Sequence, residues 1–410
     1  MKFDNPYRPG AGHMPPHLAG REAEYAEFVH LLEQETILEN LVLTGLRGVG
    51  KTVLLEKFKP LALEHGWGWV GADLSQSASV SELTIAERLL ADLSVATSGV
   101  SIEGPTEAPL GFGAKRPAPR VAISYPVLAA LFESTPGLIV DKLKAVLEFS
   151  WQHLSAEGSG KIVFAYDEAQ NLADNPSKDQ YPLSMLLDLF QSIQRKGIPF
   201  FLLLTGLPTL FPKLVDARTY AERMFRVVML TRLDDAASRE AITKPIEHAQ
   251  TPVRFDETTV ELIVTKSGGY PYFIQFICRE IFDVFIRQAE SDEAMIVPLE
   301  GIQRKLDTDF FAGRWARVTD RQRQMLWVIA TMQGSTEEFT IQDLVEHTKS
   351  KLSKPFSSSH TNQMLASLAQ QGLIYKNRFG KYSFAVPLLG DFILRTYPGP
   401  SGNGGLPSDL

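Results

Sequence analysis

The chain has 410 residues, of which 44% are hydrophobic and 22% are charged, and its formal net charge is −7. This length exceeds what one hydrophobic core usually supports and predicts two or three domains of ordinary globular composition. The acidic balance argues against a protein that binds polyanions over its whole surface, although it leaves a local basic patch open. The sequence contains no uncharged apolar run of 18 residues, so we expect no membrane span.

The N-terminal segment, residues 1–20, is rich in proline and glycine, which predicts an extended arm rather than a packed element. No apolar signal-peptide core follows Met1, and the single cysteine, Cys278, falls in an apolar helical pattern. We therefore expect a cytoplasmic protein with a buried, inert thiol. Two interpretations of the arm stay open: it covers a nucleotide base, or it is a structural tail.

A glycine-rich loop, GLRGVGKT at residues 45–52, follows the apolar run 41–43. Glycines at this spacing allow a tight turn that exposes backbone N–H groups to an anion. The lysine of the motif can reach the β- and γ-phosphates, and the hydroxyl after it can ligate Mg²⁺. The buried strand before the loop and the helical pattern behind it favour a P-loop over the alternative, an ordinary glycine-rich turn. The residues expected at the phosphates are Gly45, Gly48, Val49, Gly50, Lys51 and Thr52, with the Thr52 hydroxyl as the metal ligand.

The next segment predicts a second strand over 67–72 and a helix from about 80 to 93. Residues 97–126 are rich in glycine and proline and show little periodicity, which predicts an insertion loop. Both a partner contact and a solvated linker stay open for it. Helical spacing resumes from 136 to 154.

An acidic pair ends the next buried strand, since Asp167 and Glu168 follow the apolar run 162–166. Ligands bind at the carboxyl ends of strands in parallel sheets, where Asp167 would hold Mg²⁺ and Glu168 would polarise the attacking water. The alternative is a solvated turn. A third buried strand, 199–204, ends at Thr205, whose hydroxyl would orient the same water or simply make a local hydrogen bond.

A helix predicted over 209–224 carries Arg223, and Arg226 follows near the start of a strand at 227–230. An arginine near a strand end can stabilise transition-state charge on a neighbouring subunit's nucleotide, whereas most surface arginines do not. The choice between Arg223 and Arg226 stays open at this point.

Strands stop after residue 230, and helical patterns at 235–248, 256–267 and 272–288 predict an all-α lid attached to the sheet domain. Three more helices follow, one capped by Thr319, one over 340–346 and one over 358–371, and an alternating pattern over 372–386 predicts a hairpin. Three helices with a hairpin predict a winged helix-turn-helix. The predicted domains are an arm (1–20), a nucleotide-binding domain (21–232, with its insertion at 97–126), a lid (233–312), a winged helix (313–397) and a disordered tail (398–410).

A basic stretch marks the winged helix, because no acidic residue lies between Glu346 and Asp391. Positive charge without acids favours phosphate contacts, and polar residues 358–363 at the start of the presumed recognition helix could read base edges. The alternative is a solvated basic face on a fold that contacts protein. The residues expected to contact DNA are Lys349, Lys351, Lys354, His360, Lys376, Arg378 and Lys381.

Taken together, residues 15–395 resemble the AAA+ ATPases, specifically the clade of origin-recognition and archaeal-type ATPases and their signal-transduction relatives. The motifs that carry the resemblance are GLRGVGKT at 45–52, FAYDEAQ at 164–170, LLLTGLP at 202–208, AERMF at 221–225 and GGYP at 268–271. The resemblance implies an α/β fold: a P-loop AAA+ parallel sheet with helices on both faces, an all-α lid and a C-terminal winged helix-turn-helix.

The resemblance also implies roles for single residues. Thr205 matches the residue called sensor 1, Arg223 matches the trans-acting arginine finger, Arg21 lies in the segment that borders the adenine, and Pro271 lies in the sensor 2 turn. Many AAA+ proteins have an arginine directly after that proline, but this chain has Tyr272. We therefore expect slow or partner-stimulated turnover, closer to a switch than to a motor.

The function implied is that of an ATP-binding ATPase with ATP and Mg²⁺ as ligands, acting as a nucleotide-dependent switch that binds double-stranded DNA through its winged helix. The alternative is an ATP-dependent signalling or defence switch whose winged helix binds a protein partner encoded nearby. A finger that acts in trans would require a homo-oligomer. DNA specificity, oligomer number and biological process stay open.

Overall fold

The computed structural model describes residues 3–10, 12–75, 77, 81–103, 120–158, 160–249, 251–291, 296–332, 338–377 and 380–400. The chain divides into two compact units. The sheet unit comprises Glu22–Thr44 and Leu54–Met229, and the lid unit comprises Met1–Arg21, Gly45–Val53 and Leu230–Leu410.

The first part of the chain alternates strands and helices. Its strands are β1 (Asn40–Gly45), β2 (Gly68–Asp73), β3 (Ser101–Glu103), β4 (Arg120–Ala122), β5 (Ile162–Asp167), β6 (Phe200–Gly206) and β7 (Phe225–Leu230). Its helices are α1 (Glu22–Leu32), α2 (Lys51–Glu64), α3 (Glu82–Ala96), α4 (Tyr125–Ser134), α5 (Ile139–Ala156), α6 (Pro182–Gln194), α7 (Leu210–Ala217) and α8 (Ala221–Met224).

A five-stranded sheet with the order β2-β5-β6-β1-β7 forms the centre of the sheet unit. Strand β5 pairs in parallel with β2 and β6, and β1 pairs in parallel with β6. Every residue of β1, β5 and β6 is buried, as expected for parallel strands covered on both faces. The register pairs Leu43 with Thr205, so the carboxyl ends of β1 and β6 lie at the same edge of the sheet.

The predicted insertion at 97–126 is wrong in part, because it contains the antiparallel hairpin β3–β4 and the start of α4. Its central residues, 104–119, lie outside the described residues. Helix α4 ends at Ser134, and Gly137 with φ +113° separates it from α5. The helix predicted over 136–154 corresponds to α5, and α4 was not predicted. Few residues other than glycine adopt the backbone conformation of Gly137, which accounts for the break between the two helices.

The helix predicted over 209–224 is also two helices, α7 and α8. Arg218 is the C-cap residue of α7 and has an extended backbone. Its guanidinium donates two hydrogen bonds to the carboxylate of Asp188 in α6, from Nε at 2.9 Å and from Nη2 at 2.6 Å. Tyr220 donates a hydrogen bond to the same carboxylate at 2.7 Å. These contacts hold the chain out of helical conformation between α7 and α8.

The lid unit is helical apart from one short hairpin. Its helices are α9 (Asp235–His248), α10 (Glu257–Ser267), α11 (Pro271–Glu290), α12 (Leu299–Leu306), α13 (Gly313–Trp315), α14 (Asp320–Thr331), α15 (Ile341–Lys351), α16 (Ser358–Gln370) and α17 (Leu389–Thr396), and its strands are β8 (Ile374–Lys376) and β9 (Tyr382–Phe384). A π-helical segment, Asp307–Ala312, joins α12 to α13. One hydrophobic cluster runs from Tyr7 through α9–α11 to Ile393 of α17.

The C-terminal elements follow the predicted order of three helices and a hairpin, here α14, α15, α16 and β8–β9. Two details differ from the prediction. Helix α15 extends to Lys351, beyond the predicted end at residue 346, and α17 was not predicted. Helix α17 has buried Leu389, Phe392 and Ile393 on one face, so its formation follows from packing in the cluster of the lid unit.

The N-terminal arm is extended, as predicted, but it is packed. Tyr7 is fully buried, its ring stacks on Phe255 at 5.9 Å, and its hydroxyl donates to the carbonyl of Ile242. Asn5 donates to the Asp283 carboxylate at 2.7 Å. A segment without secondary structure is thus fixed to the lid by the side chains of Tyr7 and Asn5.

The single cysteine and the lengths of the helices bear on two further expectations. Cys278 is buried, and burial raises the pKa of its thiol, which agrees with an inert residue. Within the described residues, no helix combines the length and the apolar character that crossing a bilayer requires.

Candidate nucleotide-binding site

The P-loop segment leaves β1 at Gly45 and enters α2 at Lys51. Gly48 and Gly50 have φ values of +79° and +95°, which lie in the left-handed region that only glycine adopts readily. A β-carbon at Gly45 would come within 2.6 Å of the Leu230 carbonyl oxygen. The glycine spacing seen in the sequence therefore corresponds to three backbone requirements of this turn.

Lys51 lies inside this loop. Its ammonium group donates hydrogen bonds to the carbonyls of Gly45 at 3.0 Å and Leu46 at 2.9 Å, and the side chain is buried. Thr52 follows in the first turn of α2 and is half-buried. A cation held within a glycine-rich loop at a helix N-terminus is the arrangement that binds phosphate.

Arg21 is buried beside the same loop. Its guanidinium donates hydrogen bonds to the carbonyl of Val49 at 3.0 Å and to that of Thr231 at 2.9 Å. The family resemblance assigned this residue to the adenine border, and the structure places it on the backbone of the phosphate loop. The side chain thereby ties the loop to the chain segment that leads into the lid.

The first turn of α11 contacts the loop as well. Pro271 is the first residue of α11, and the backbone N–H of Tyr272 donates to the Gly48 carbonyl at 3.1 Å. A β-carbon at Gly48 would lie 2.9 Å from the β-carbon of Tyr272. The residue that replaces the usual arginine of this turn therefore binds the loop through its backbone, a contact that the sequence did not reveal.

The carboxyl edge of the sheet brings together the acidic pair and the predicted sensor residue. The Thr205 hydroxyl donates to Oδ1 of Asp167, and the backbone N–H of Glu168 donates to the same oxygen at 2.7 Å. Both Asp167 and Thr205 are buried. The two residues predicted from neighbouring strands are thus in direct contact within the sheet unit.

Glu168 is exposed and has φ +52°, a conformation that costs a non-glycine residue energy and that occurs often at functional sites. The side-chain amide of Gln170 donates to its carboxylate. Gln170 is itself held by the Leu207 N–H at 3.0 Å and by Lys213, which donates to its carbonyl at 2.7 Å. Gln170 therefore orients Glu168, and its only sequence signal was its place in the motif at 164–170.

Comparisons with known proteins identify this region. The model of the AAA ATPase domain matches residues 17–215. These residues belong to the AAA ATPase domain family. A model described as a domain of unknown function, DUF8462, matches residues 308–393, and the comparison with curated proteins found no match.

Solved structures share the fold over more than nine-tenths of the chain. The Walker-type ATPase PABY2304 of Pyrococcus abyssi has a TM-score of 0.58 and 16% identity, and the alignment covers 92% of this chain and 96% of that one. The ORC2 protein of Aeropyrum pernix, in ADPNP and ADP complexes, has a TM-score of 0.53 and 14% identity, with 94% and 96% covered. The predicted AAA+ assignment and fold class are confirmed.

The two candidate finger arginines, which follow the matched residues 17–215, differ in their contacts. Arg226 forms an ion pair with Glu27, which raises the pKa of its guanidinium. Arg223, on α8, is exposed and forms no ion pair with the residues that the structure describes. Arg223 is therefore the arginine whose charge is not already matched.

The candidate metal ligands of this chain are few. Across the described ranges, no group of three or more His, Cys, Asp or Glu side chains is arranged to hold a metal. Mg²⁺ that arrives with a nucleotide needs no such group, because it keeps waters and takes one or two protein ligands plus phosphate oxygens. The ligands predicted from the sequence, the Thr52 hydroxyl in the lid unit and the Asp167 carboxylate in the sheet unit, are oxygens of the kind that Mg²⁺ takes.

The basic residues downstream of the AAA domain are exposed. Lys349 and Lys351 lie on the last turn of α15, and His360 lies near the start of α16 with its ring 5.5 Å from Phe356. Arg378 lies outside the described residues. Thr361, within the presumed reading surface 358–363, is fully buried and cannot contact a base. The exposed members described by the structure are Lys349, Lys351, Lys354, His360, Lys376 and Lys381.

Proposed function

We propose that this protein is an ATP-binding AAA+ ATPase that works as a nucleotide-dependent switch. The observation that supports it is the attachment of the phosphate loop on both sides, by Arg21 at Val49 and by the Tyr272 N–H at Gly48. A loop that rearranges on binding phosphate would change these bonds. Nucleotide state would thereby reach the first turn of α11.

The residues divide the chemistry between them. The loop N–H groups and Lys51 would bind the β- and γ-phosphates, and Thr52 and Asp167 would ligate Mg²⁺, which neutralises phosphate charge when bound. Glu168, oriented by Gln170, would accept a proton from the attacking water, and Thr205 would hold the Asp167 carboxylate in place.

Turnover would be slow or dependent on assembly. The position after Pro271 carries a tyrosine, so the lid supplies no arginine there, and the proposed finger Arg223 would act on the nucleotide of a neighbouring copy. Hydrolysis would then require a homo-oligomer. A cytoplasmic location and the predicted domain boundaries stay predictions.

The deciding experiment compares wild type with Lys51→Ala and Glu168→Gln by calorimetry with Mg·ATP and by steady-state hydrolysis. We expect Lys51→Ala to lose ATP binding and Glu168→Gln to bind ATP but not hydrolyse it. Wild-type protein that gives neither heat nor thermal shift with Mg·ATP would refute ATP binding, and undiminished hydrolysis by Glu168→Gln would refute the assigned base.

We further propose that the C-terminal helices and hairpin bind double-stranded DNA. The support is an exposed basic set that forms no ion pair among the described residues, with Lys354 and Lys376 as examples. Lys381 lies near Asp343, whose pKa is lowered mainly by hydrogen bonds from Thr340, so one basic residue is partly neutralised. If DNA binding fails, a protein partner of this surface becomes the working proposal.

A further inference from the structure

The geometry points to a second anion site in the lid unit, for a small ligand that carries two or more phosphate groups. The site is a pocket of about 470 Å³ lined by Arg47 of the P-loop segment, by Arg314 and Arg317 around α13, and by Gln371, Gly372 and Leu373 after α16. Lys51 and Thr52 do not line it. The proposal therefore goes beyond the nucleotide site and does not depend on it.

Three guanidinium groups share this pocket without matching carboxylates. Among the described residues, none of Arg47, Arg314 and Arg317 forms an ion pair. Asp309, which is exposed, is the acidic residue of the lining. The pocket thus carries three positive charges and one negative charge, so its lining has an excess of positive charge that an anion could balance.

Arg314 is held in place for such a role. Its guanidinium lies 4.5 Å from the centre of the Phe310 ring and donates to the Phe310 carbonyl. Burial lowers the pKa of this guanidinium, and the charges of Arg47 and Arg317 lower it further. Mutual repulsion of this kind is relieved when a multivalent anion binds, because each guanidinium can form a two-pronged hydrogen bond with phosphate oxygens.

The dimensions favour a ligand larger than one phosphate ion. A volume of about 470 Å³ falls in the range of small-molecule pockets, roughly 300–1,000 Å³. Gly372 has φ +69°, and a β-carbon there would lie 3.4 Å from a guanidinium nitrogen of Arg47. The wall opposite Arg47 is therefore bare backbone, which leaves the guanidinium accessible.

Position argues for a small ligand rather than for duplex DNA. Gln371 caps the carboxyl end of α16, whereas His360, expected at DNA, lies near its amino end. A 13-residue helix is about 20 Å long. The pocket and the presumed DNA-contacting turn therefore lie at opposite ends of one helix.

Calorimetric titration of the full-length Lys51→Ala variant with pyrophosphate tests the proposal, because this variant lacks the phosphate-loop lysine and keeps every residue that lines the pocket. We expect it to bind one pyrophosphate, and the variants below are made in the same background. Arg314→Gln and Arg317→Gln should each weaken pyrophosphate binding about tenfold or more, as expected for the loss of one charge-assisted contact. Arg287→Gln, on an exposed arginine of α11 that does not line the pocket, should leave it unchanged.

Several results would overturn the assignment. Absence of pyrophosphate binding by Lys51→Ala is one, since the anion would then bind only at the phosphate loop. Pyrophosphate binding that neither Arg314→Gln nor Arg317→Gln weakens is another, since the anion would then lie outside this pocket. If citrate binds as tightly as pyrophosphate, the pocket recognises carboxylates as well, and the assignment to phosphate is wrong. Displacement of pyrophosphate by a 20-base-pair duplex would assign the pocket to DNA. Because Arg317 is exposed, its variant keeps the test valid even if Arg314→Gln unfolds.

Discussion

The guanidinium of Arg21 donates a 3.0 Å hydrogen bond to the carbonyl oxygen of Val49, 28 positions further along the chain. The same group binds the carbonyl of Thr231, so one buried cation joins the phosphate loop to the segment that leads into α9. Replacing an arginine at such a site leaves two carbonyls without a partner. Loop geometry and nucleotide affinity should therefore depend on a residue that does not itself contact phosphate.

Arg21→Met tests this dependence, because methionine fills similar space without donors. Each buried carbonyl that loses its partner costs about 1–3 kcal/mol, so the free energy of unfolding should fall by about 2 kcal/mol or more, and the Kd for ATP should rise about tenfold. Chemical denaturation and calorimetry measure the two. Arg8→Met, on an exposed arginine of the same arm, is the control and should change neither. Equal ATP affinity in Arg21→Met and wild type would show that the loop holds its shape unaided.

Gly48→Ala should disrupt the phosphate loop for two separable reasons. Its φ of +79° strains any L-residue by about 1 kcal/mol, and the new methyl group would lie 2.9 Å from Tyr272 Cβ. Gly66→Ala is the matched control, with φ +76° and no atom within 4 Å of the added carbon. We expect both variants to lose stability, and only Gly48→Ala to lose ATP affinity. Similar ATP affinities in the two variants would argue against a role of the Gly48–Tyr272 contact.

Thr205→Val removes the hydroxyl that binds Asp167 and keeps the shape of the side chain. The buried carboxylate then loses a hydrogen-bond donor, which should lower the rate of ATP hydrolysis about tenfold while ATP binding changes little. Thr205→Ser retains the hydroxyl and should behave like wild type. Rapid-quench measurement of a single turnover isolates this step. If Thr205→Val hydrolyses ATP at the wild-type rate, Thr205 is a strand-terminating residue and nothing more.

Local patterns made much of this site predictable. The glycines of the loop, the acidic pair after β5 and the threonine after β6 each depend on short-range spacing, and parallel pairing then brings Asp167 to Thr205. The three fully buried strands, β1, β5 and β6, were predictable from their apolar runs for the same reason.

Contacts between distant positions were not predictable. The bonds from Arg21 to Thr231 and from Tyr272 to Gly48 join residues more than 200 positions apart, and no periodicity encodes them. Tyr7 is a similar case, because its burial depends on a cluster that the rest of the lid unit supplies. The break between α7 and α8 was also missed, because it depends on the contact between Arg218 and Asp188, which lie on different elements.

Arg223→Ala should remove the dependence of ATP hydrolysis on protein concentration and leave ATP binding intact. Its guanidinium forms no ion pair with described residues, whereas Arg226 is paired with Glu27. Arg226→Ala is therefore the control and should retain a rate per subunit that rises with concentration. Initial rates over a wide range of protein concentration make the comparison. The opposite outcome for the two variants would transfer the finger role to Arg226.

DNA affinity should fall steeply with salt if the exposed lysines of α15 and β8 contact phosphates. The logarithm of the binding constant changes with a slope of about −0.9 per phosphate contact, so Lys351→Gln and Lys376→Gln should each reduce the slope by about 1. Lys305→Gln, on a lysine paired with Glu280 in the lid, should leave the slope unchanged. Fluorescence anisotropy with a duplex at several salt concentrations measures it. A chain that binds no duplex at low salt would favour the protein partner, because charge alone would then have failed to draw DNA to an exposed basic surface.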